Sequence, residues 1–97
     1  MEEYVYYNNL YDFYYKLLTD KQKKYFEDYY FSNLSLGEIA ENYNVSRNAV
    51  YKQIQITINK LKEYEEKLQL FEKKTILENI INSINDKKII EDLTKVL

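Results

Sequence analysis

The chain has 97 residues and a formal net charge of −2, with no Cys, His, Trp or Pro, one Gly and twelve Tyr. Zinc fingers, haem attachment, disulfide frameworks and catalysis by Cys or His are excluded by absence, and a turn-rich multi-strand β fold is disfavoured. Residues 1–34 carry six acids and four bases, residues 35–62 two acids and four bases, and residues 63–97 eight acids and six bases, so the locally basic middle third is suited to touching phosphate.

The apolar spacing is helical throughout. Tyr7, Leu10, Tyr11, Tyr14, Leu17 and Leu18 recur at three- and four-residue steps and predict a first helix with one apolar stripe. Thr19, three residues before Gln22, has the spacing of a capping box and predicts the start of a second helix carrying Phe26, Tyr29 and Tyr30. Asn33 and Leu34 interrupt it. Ser35, three residues before Glu38, then opens a short third helix over about 36–42, with Leu36, Ile39, Ala40 and Tyr43 expected inward.

Asn44 tolerates the left-handed conformation in which helices commonly end, Val45 follows in the turn, and Ser46 is a good N-cap. From Arg47 onward Val50, Ile54, Ile58, Leu61, Glu65 and Leu68 advance by three or four, and only Glu65 is polar. No residue up to Phe71 breaks the pattern, so a helix over 47–71 is expected, roughly 37 Å long. A globule of this size has a radius of gyration of about 12–13 Å. Such a helix projects beyond its own domain and needs a partner surface.

Ile76, Leu77, Ile80, Ile81 and Ile84 form one apolar tail segment, and Ile89, Ile90, Leu93, Val96 and Leu97 another, with Asn85-Asp86 as stop and cap between them. These segments are too apolar for disorder and are expected to pack on the long helix or on another subunit. The reading is all-α with about six helices in one domain over 1–97. It has a helix-turn-helix core at about 17–62, a long recognition-helix extension at 47–71 and C-terminal helices at 73–97.

Leu36 to Leu61 has the helix-turn-helix layout: a short helix, a turn of about three residues, and a helix opened by a capping Ser. Small Ala40 suits the close crossing, and Ile39, Val45, Val50 and Ile54 are expected to form the knot behind it. At 100° per residue from Val50, the outward positions are Asn48, Lys52, Gln55 and Asn59, with Tyr51 on the flank. Arg47, the one arginine of the chain, falls in the first turn. These side chains bond base edges or phosphates, so Ser46, Arg47, Asn48, Tyr51, Lys52 and Gln55 are the candidate DNA-binding residues.

The run LLTDKQKKYFEDYYFSNLSLGEIAENYNVSRNAVYKQI, with KLKEYEEKLQLFEK after it, resembles the YlxM family of small bacterial helix-turn-helix proteins over about Leu17 to Lys73. The motif also resembles the DNA-reading region of sigma factors. The resemblance implies an all-helical fold, a regulatory role and, because the family's genes tend to lie beside those for signal recognition particle components, a link to that pathway. Two departures stand out. Lys52 replaces a commonly acidic residue, which favours phosphate contact, and Ile56-Thr57 replace a frequent basic pair, which removes it.

Elsewhere, Glu63, Glu65 and Glu66 do not read as a metal or catalytic cluster, because at helical spacing Glu63 pairs with Lys60 or Lys67 and Glu66 with Lys62 as surface ion pairs. Lys21, Lys23 and Lys24 open the second helix and are candidate phosphate contacts. The N-terminal tyrosines have core spacing rather than the look of a base-stacking platform. Ile56, off the main stripe, with Leu68 and Phe71, is a candidate dimer or partner contact. No catalytic, cofactor or metal constellation is present. With no run near the ~20 apolar residues of a membrane span and no signal sequence, the expectation is a cytoplasmic, non-enzymatic regulator that binds duplex DNA as a homodimer. The alternative is a module binding a signal recognition particle protein without binding DNA.

Overall fold

The computed structural model describes the backbone of residues 2–97 and the side chains of residues 3–97. Among them are six α-helices, one 3-10 turn and no strand. Helix α1 spans Glu2–Tyr14 and runs into the 3-10 turn Tyr15–Leu17. The tighter winding of that turn rotates the side-chain register. Leu17, expected on the apolar stripe, is therefore exposed, while Leu18, expected on the same stripe, is buried.

Helix α2 (Asp20–Tyr30) opens with the full capping box: the Gln22 N–H donates to Thr19 Oγ1 (3.2 Å) and the Thr19 N–H donates to Gln22 Oε1 (3.0 Å). Helix α3 (Leu36–Tyr43) repeats the device with Ser35 and Glu38, both bonds at 3.0 Å. It ends at Asn44, whose φ of 54° is left-handed. There the Val45 N–H donates to the Ala40 carbonyl (3.0 Å) and the Asn44 N–H to that of Glu41 (3.3 Å), closing a Schellman motif.

Helix α4 (Arg47–Leu68) is the spine. Its 22 residues, about 33 Å long, run past both apolar clusters of the core. Leu61 enters the first cluster with Leu10, Tyr11, Tyr14, Leu18 and Phe26. Val50, Ile54 and Ile58 enter the second with Tyr25, Ile39 and Ala40. Tyr7 and Tyr30 pack against both clusters and join them.

The expected single helix over 47–71 is broken at Gln69, which adopts a left-handed φ of 55°, and helix α5 (Leu70–Asn82) begins at once. The cause lies in the core. Gln69 supplies no side-chain cap to α5. Instead buried Glu65 accepts from the N–H groups of Phe71 and Glu72 (both 3.1 Å), and the Tyr14 hydroxyl accepts from that of Leu70 (3.1 Å). The Lys73 N–H reaches the Gln69 carbonyl at 2.9 Å. All four donors at the start of α5 are thus satisfied, which a straight helix would not need.

Helix α6 (Lys87–Thr94) is capped by Asp86, which accepts from the N–H groups of Lys88 and Ile89. Neither α5 nor α6 contains a buried residue. They form an arm that turns at Gln69, packs on α1 through Phe71 and then leaves the core. The radius of gyration is 17.0 Å with extents of 55 × 25 × 22 Å, above the about 12–13 Å of a compact chain this long. Among the described residues, no helix is long and apolar enough to cross a membrane.

Candidate nucleic-acid interface

The interface is built by the crossing of α3 and α4. Ile39 and Ala40 on α3 face Val50, Ile54 and Ile58 on α4, and all five are buried. The crossing fixes the rotation of α4, and the opposite face follows. Asn48, Lys52, Gln55 and Asn59, with Tyr51 on the flank, are exposed as the helical count from Val50 predicts, and Arg47 in the first turn is exposed beside them. Ser46 does not reach outward with its hydroxyl, because Oγ accepts from the Ala49 N–H at 3.0 Å. Its role in the geometry is to start the helix, which places Arg47 and Asn48 in the first turn.

That turn contains no acidic residue. The free N–H groups and the positive end of the helix dipole therefore add to the guanidinium rather than being offset by a carboxylate. Among the described residues neither Arg47 nor Lys52 is held in an ion pair. Both are exposed to solvent.

Two expected members of the knot behave differently. Val45 is half-exposed, since the Schellman turn swings it away from the crossing. Tyr43, expected inward, is likewise half-exposed; its ring leans on Tyr25 (centroids 5.1 Å apart) while its hydroxyl donates to Asp28 Oδ2 at 3.0 Å. Burial and that carboxylate raise the Tyr43 phenol above its ordinary range. A tyrosine on the edge of the stripe keeps its polar end wet.

Thr57 is fully buried, and its hydroxyl donates to the Gln53 carbonyl at 2.8 Å. Sequence reasoning missed this, although its position seven residues after Val50 places it on the buried side. Of the Ile56-Thr57 pair only Ile56 alters the exposed face, so the expected loss of phosphate contact at both positions is corrected to one.

The lysines at the start of α2 are partly engaged. Lys23 Nζ lies 3.4 Å from Asp20, and Lys21 Nζ lies 5.8 Å from the Tyr25 ring centroid. Lys24 is exposed.

The three glutamates of α4 divide. Glu63 pairs with Lys67 at 2.8 Å, and that hydrogen bond holds its carboxyl below the usual range. Lys62 was expected opposite Glu66; its Nζ lies 5.3 Å over the Tyr7 ring instead. Glu65, the polar member of the apolar stripe, is the buried cap of α5. It accepts the Tyr14 hydroxyl at 2.6 Å, and burial together with this bond pushes the Tyr14 phenol up to about 12. The clue in the sequence was a lone acid on an apolar stripe.

Ile56 and Leu68 are exposed. Phe71, expected at a partner contact, is half-buried within the chain against Phe13 and Tyr6, with centroids 6.2 and 6.0 Å away. Its placement beyond the Gln69 break turns it back onto α1.

Comparison with known proteins bears on the helix-turn-helix itself. Residues 1–96 match the family described as "Putative helix-turn-helix protein, YlxM / p13 like". A UPF0122 protein of Halalkalibacterium halodurans is 48% identical over 94 residues, covering 93% of this chain and 86% of the relative. One from Geobacillus sp. is 51% identical over 79 residues, covering 81% and 72%. One from Bacillus velezensis is 59% identical over 66 residues, covering 68% of this chain and 60% of that protein.

Proposed function

Because this chain belongs to the YlxM / p13 like family of helix-turn-helix proteins, we propose that it is a non-enzymatic regulator that binds duplex DNA through the start of α4. The observation that carries this reading is the exposed face Arg47, Asn48, Tyr51, Lys52 and Gln55, set opposite the buried Val50, Ile54 and Ile58. In the major groove, Arg47 offers a guanine a bidentate pair, and Asn48 or Gln55 offers the same to an adenine. Lys52 and Tyr51 reach phosphates beside the groove, and Lys24 and Lys21 reach the backbone from α2.

One copy makes about four phosphate contacts from its motif third, below the roughly six to ten of strongly salt-dependent binders. A homodimer would double them. The arm, with exposed Ile76, Ile80 and Ile89, is the surface we assign to pairing. The same exposed arm favours the second reading, in which a signal recognition particle protein rather than another copy covers it.

Titration of labelled duplex DNA at about 50 and about 200 mM salt tests the first reading. Wild-type protein is expected to bind weakly at the lower salt and to lose most affinity at the higher. Arg47→Ala is expected to cost about tenfold at a preferred site. No binding at low salt, or affinity indifferent to Arg47, overturns the reading.

A further inference from the structure

A second feature lies apart from the α4 face. Where the start of α1 crosses the end of α2, a cleft of about 470 Å³ is lined by Glu3, Tyr4, Tyr7, Tyr29, Tyr30 and Asn33, among others, with no lysine or arginine. The rings are held in place rather than splayed. Tyr30 is tilted against Tyr4 (5.5 Å), edge-on to Tyr7 (6.1 Å) and edge-on to Tyr29 (5.0 Å), and the Tyr4 hydroxyl donates to the Tyr30 carbonyl.

The described side chains of this lining favour a cation, although the start of α1 and Lys62 over Tyr7 add positive charge at its edge. Ring faces are electron-rich and attract cations, and Glu3 adds a full negative charge. The last turn of α2 ends here with no basic residue to offset the negative end of its dipole. The Tyr30 phenol is pushed up to about 12 by burial and by neighbouring Tyr29, Tyr7 and Glu3, so its ring remains neutral over the physiological range. Lys62 over the ring of Tyr7 shows that this aromatic cluster already holds one cation of the chain itself.

We infer that this cleft is a binding site for the guanidinium group of an arginine side chain on a partner polypeptide. Guanidinium matches the content of the cleft better than ammonium does. It is planar and weakly hydrated, stacks on a tyrosine face, and presents a donor fork to a single carboxylate such as Glu3. The Asn33 amide and the tyrosine hydroxyls supply acceptors for its remaining N–H groups. The site stands independently of DNA binding, and its test contains no DNA.

The test is NMR of the full chain with labelled tyrosines, titrated with N-acetyl-arginine methylamide, its lysine and glycine counterparts, tetramethylammonium, and a short arginine-bearing peptide. Saturable shifts of the Tyr4, Tyr29 and Tyr30 rings are expected with the arginine probe, weaker ones with lysine and tetramethylammonium, and none with glycine. The peptide is expected to bind more tightly than the single blocked residue.

Glu3→Gln and Tyr29→Leu, both at exposed positions, are each expected to weaken arginine binding about threefold. The far-UV circular dichroism of both should be unchanged. No saturable shift, equal response to glycine, tighter binding of tetramethylammonium than of arginine, or indifference to both substitutions overturns the assignment. A peptide no tighter than the blocked residue overturns the polypeptide partner.

Discussion

The body of the molecule, α1 to α4, and the arm, α5 and α6, are built with the same local devices and reach different ends. Both have helices opened by side-chain caps: Thr19, Ser35 and Ser46 in the body, Asp86 in the arm. Both are rich in apolar residues at helical spacing. In the body those residues bury one another in two clusters joined by Tyr7 and Tyr30. In the arm Ile76, Ile80, Ile89 and Val96 stay exposed. Capping and periodicity determine where a helix forms, whereas stability comes from what its apolar face meets. The body meets itself, whereas the arm packs on it through Phe71 and leaves much of its remaining apolar surface exposed.

The largest expected effect contrasts the two regions directly. Phe26 is completely buried, stacked on Tyr11 with centroids 4.6 Å apart. Phe26→Ala is expected to cost about 3–5 kcal/mol in urea denaturation of the isolated chain. Ile80→Ala, in the exposed arm, is expected to stay within about 0.5 kcal/mol. Comparable losses at both positions would show that the arm is packed within a single copy.

A smaller effect is expected at the joint between the regions. Glu65→Gln leaves one carbonyl oxygen where two carboxylate oxygens accept from Tyr14, Phe71 and Glu72. A loss of about 2 kcal/mol is expected, since a buried donor is left without its acceptor. Hydrogen exchange should place the change at the first turn of α5, with the α3–α4 crossing protected as before. Uniform loss of protection would mean that body and arm unfold as one unit.

A third effect appears only in alkali. The Tyr14 phenol is raised from 10.0 to about 12 in the folded chain, so folding favours its neutral form. Its contribution is present in full below about pH 10 and is lost as pH rises through about 12. Tyrosinate absorbance should show one ionisation fewer in that window for Tyr14→Phe, together with a flatter stability profile. An unchanged profile would remove the Tyr14–Glu65 bond from the account of the joint.

What the sequence reveals follows the range of the interactions involved. Thr19, Ser35, Asn44, Ser46 and Asp86 act on groups within a few residues of themselves, and each was readable where it stands. The outward face of α4 was readable too, because Val50, Ile54 and Ile58 fix its rotation. The break at Gln69 was not, since its cause includes Tyr14, 51 residues before Glu65. Leu17 and Tyr43 were misplaced for a related reason: a 3-10 turn and a wet hydroxyl each override simple helical counting. The cleft at Tyr30 needed the crossing of two helices before its tyrosines could be recognised as one group.

The most direct test of the central claim is an amide chemical-shift map of the full chain titrated with duplex DNA at low salt. Perturbations are expected at residues 46–55, with a weaker set at 21–24, and none over residues 76–97 beyond those seen on dilution. Shifts centred on the arm, or an unperturbed α4 in the presence of excess duplex, would contradict it.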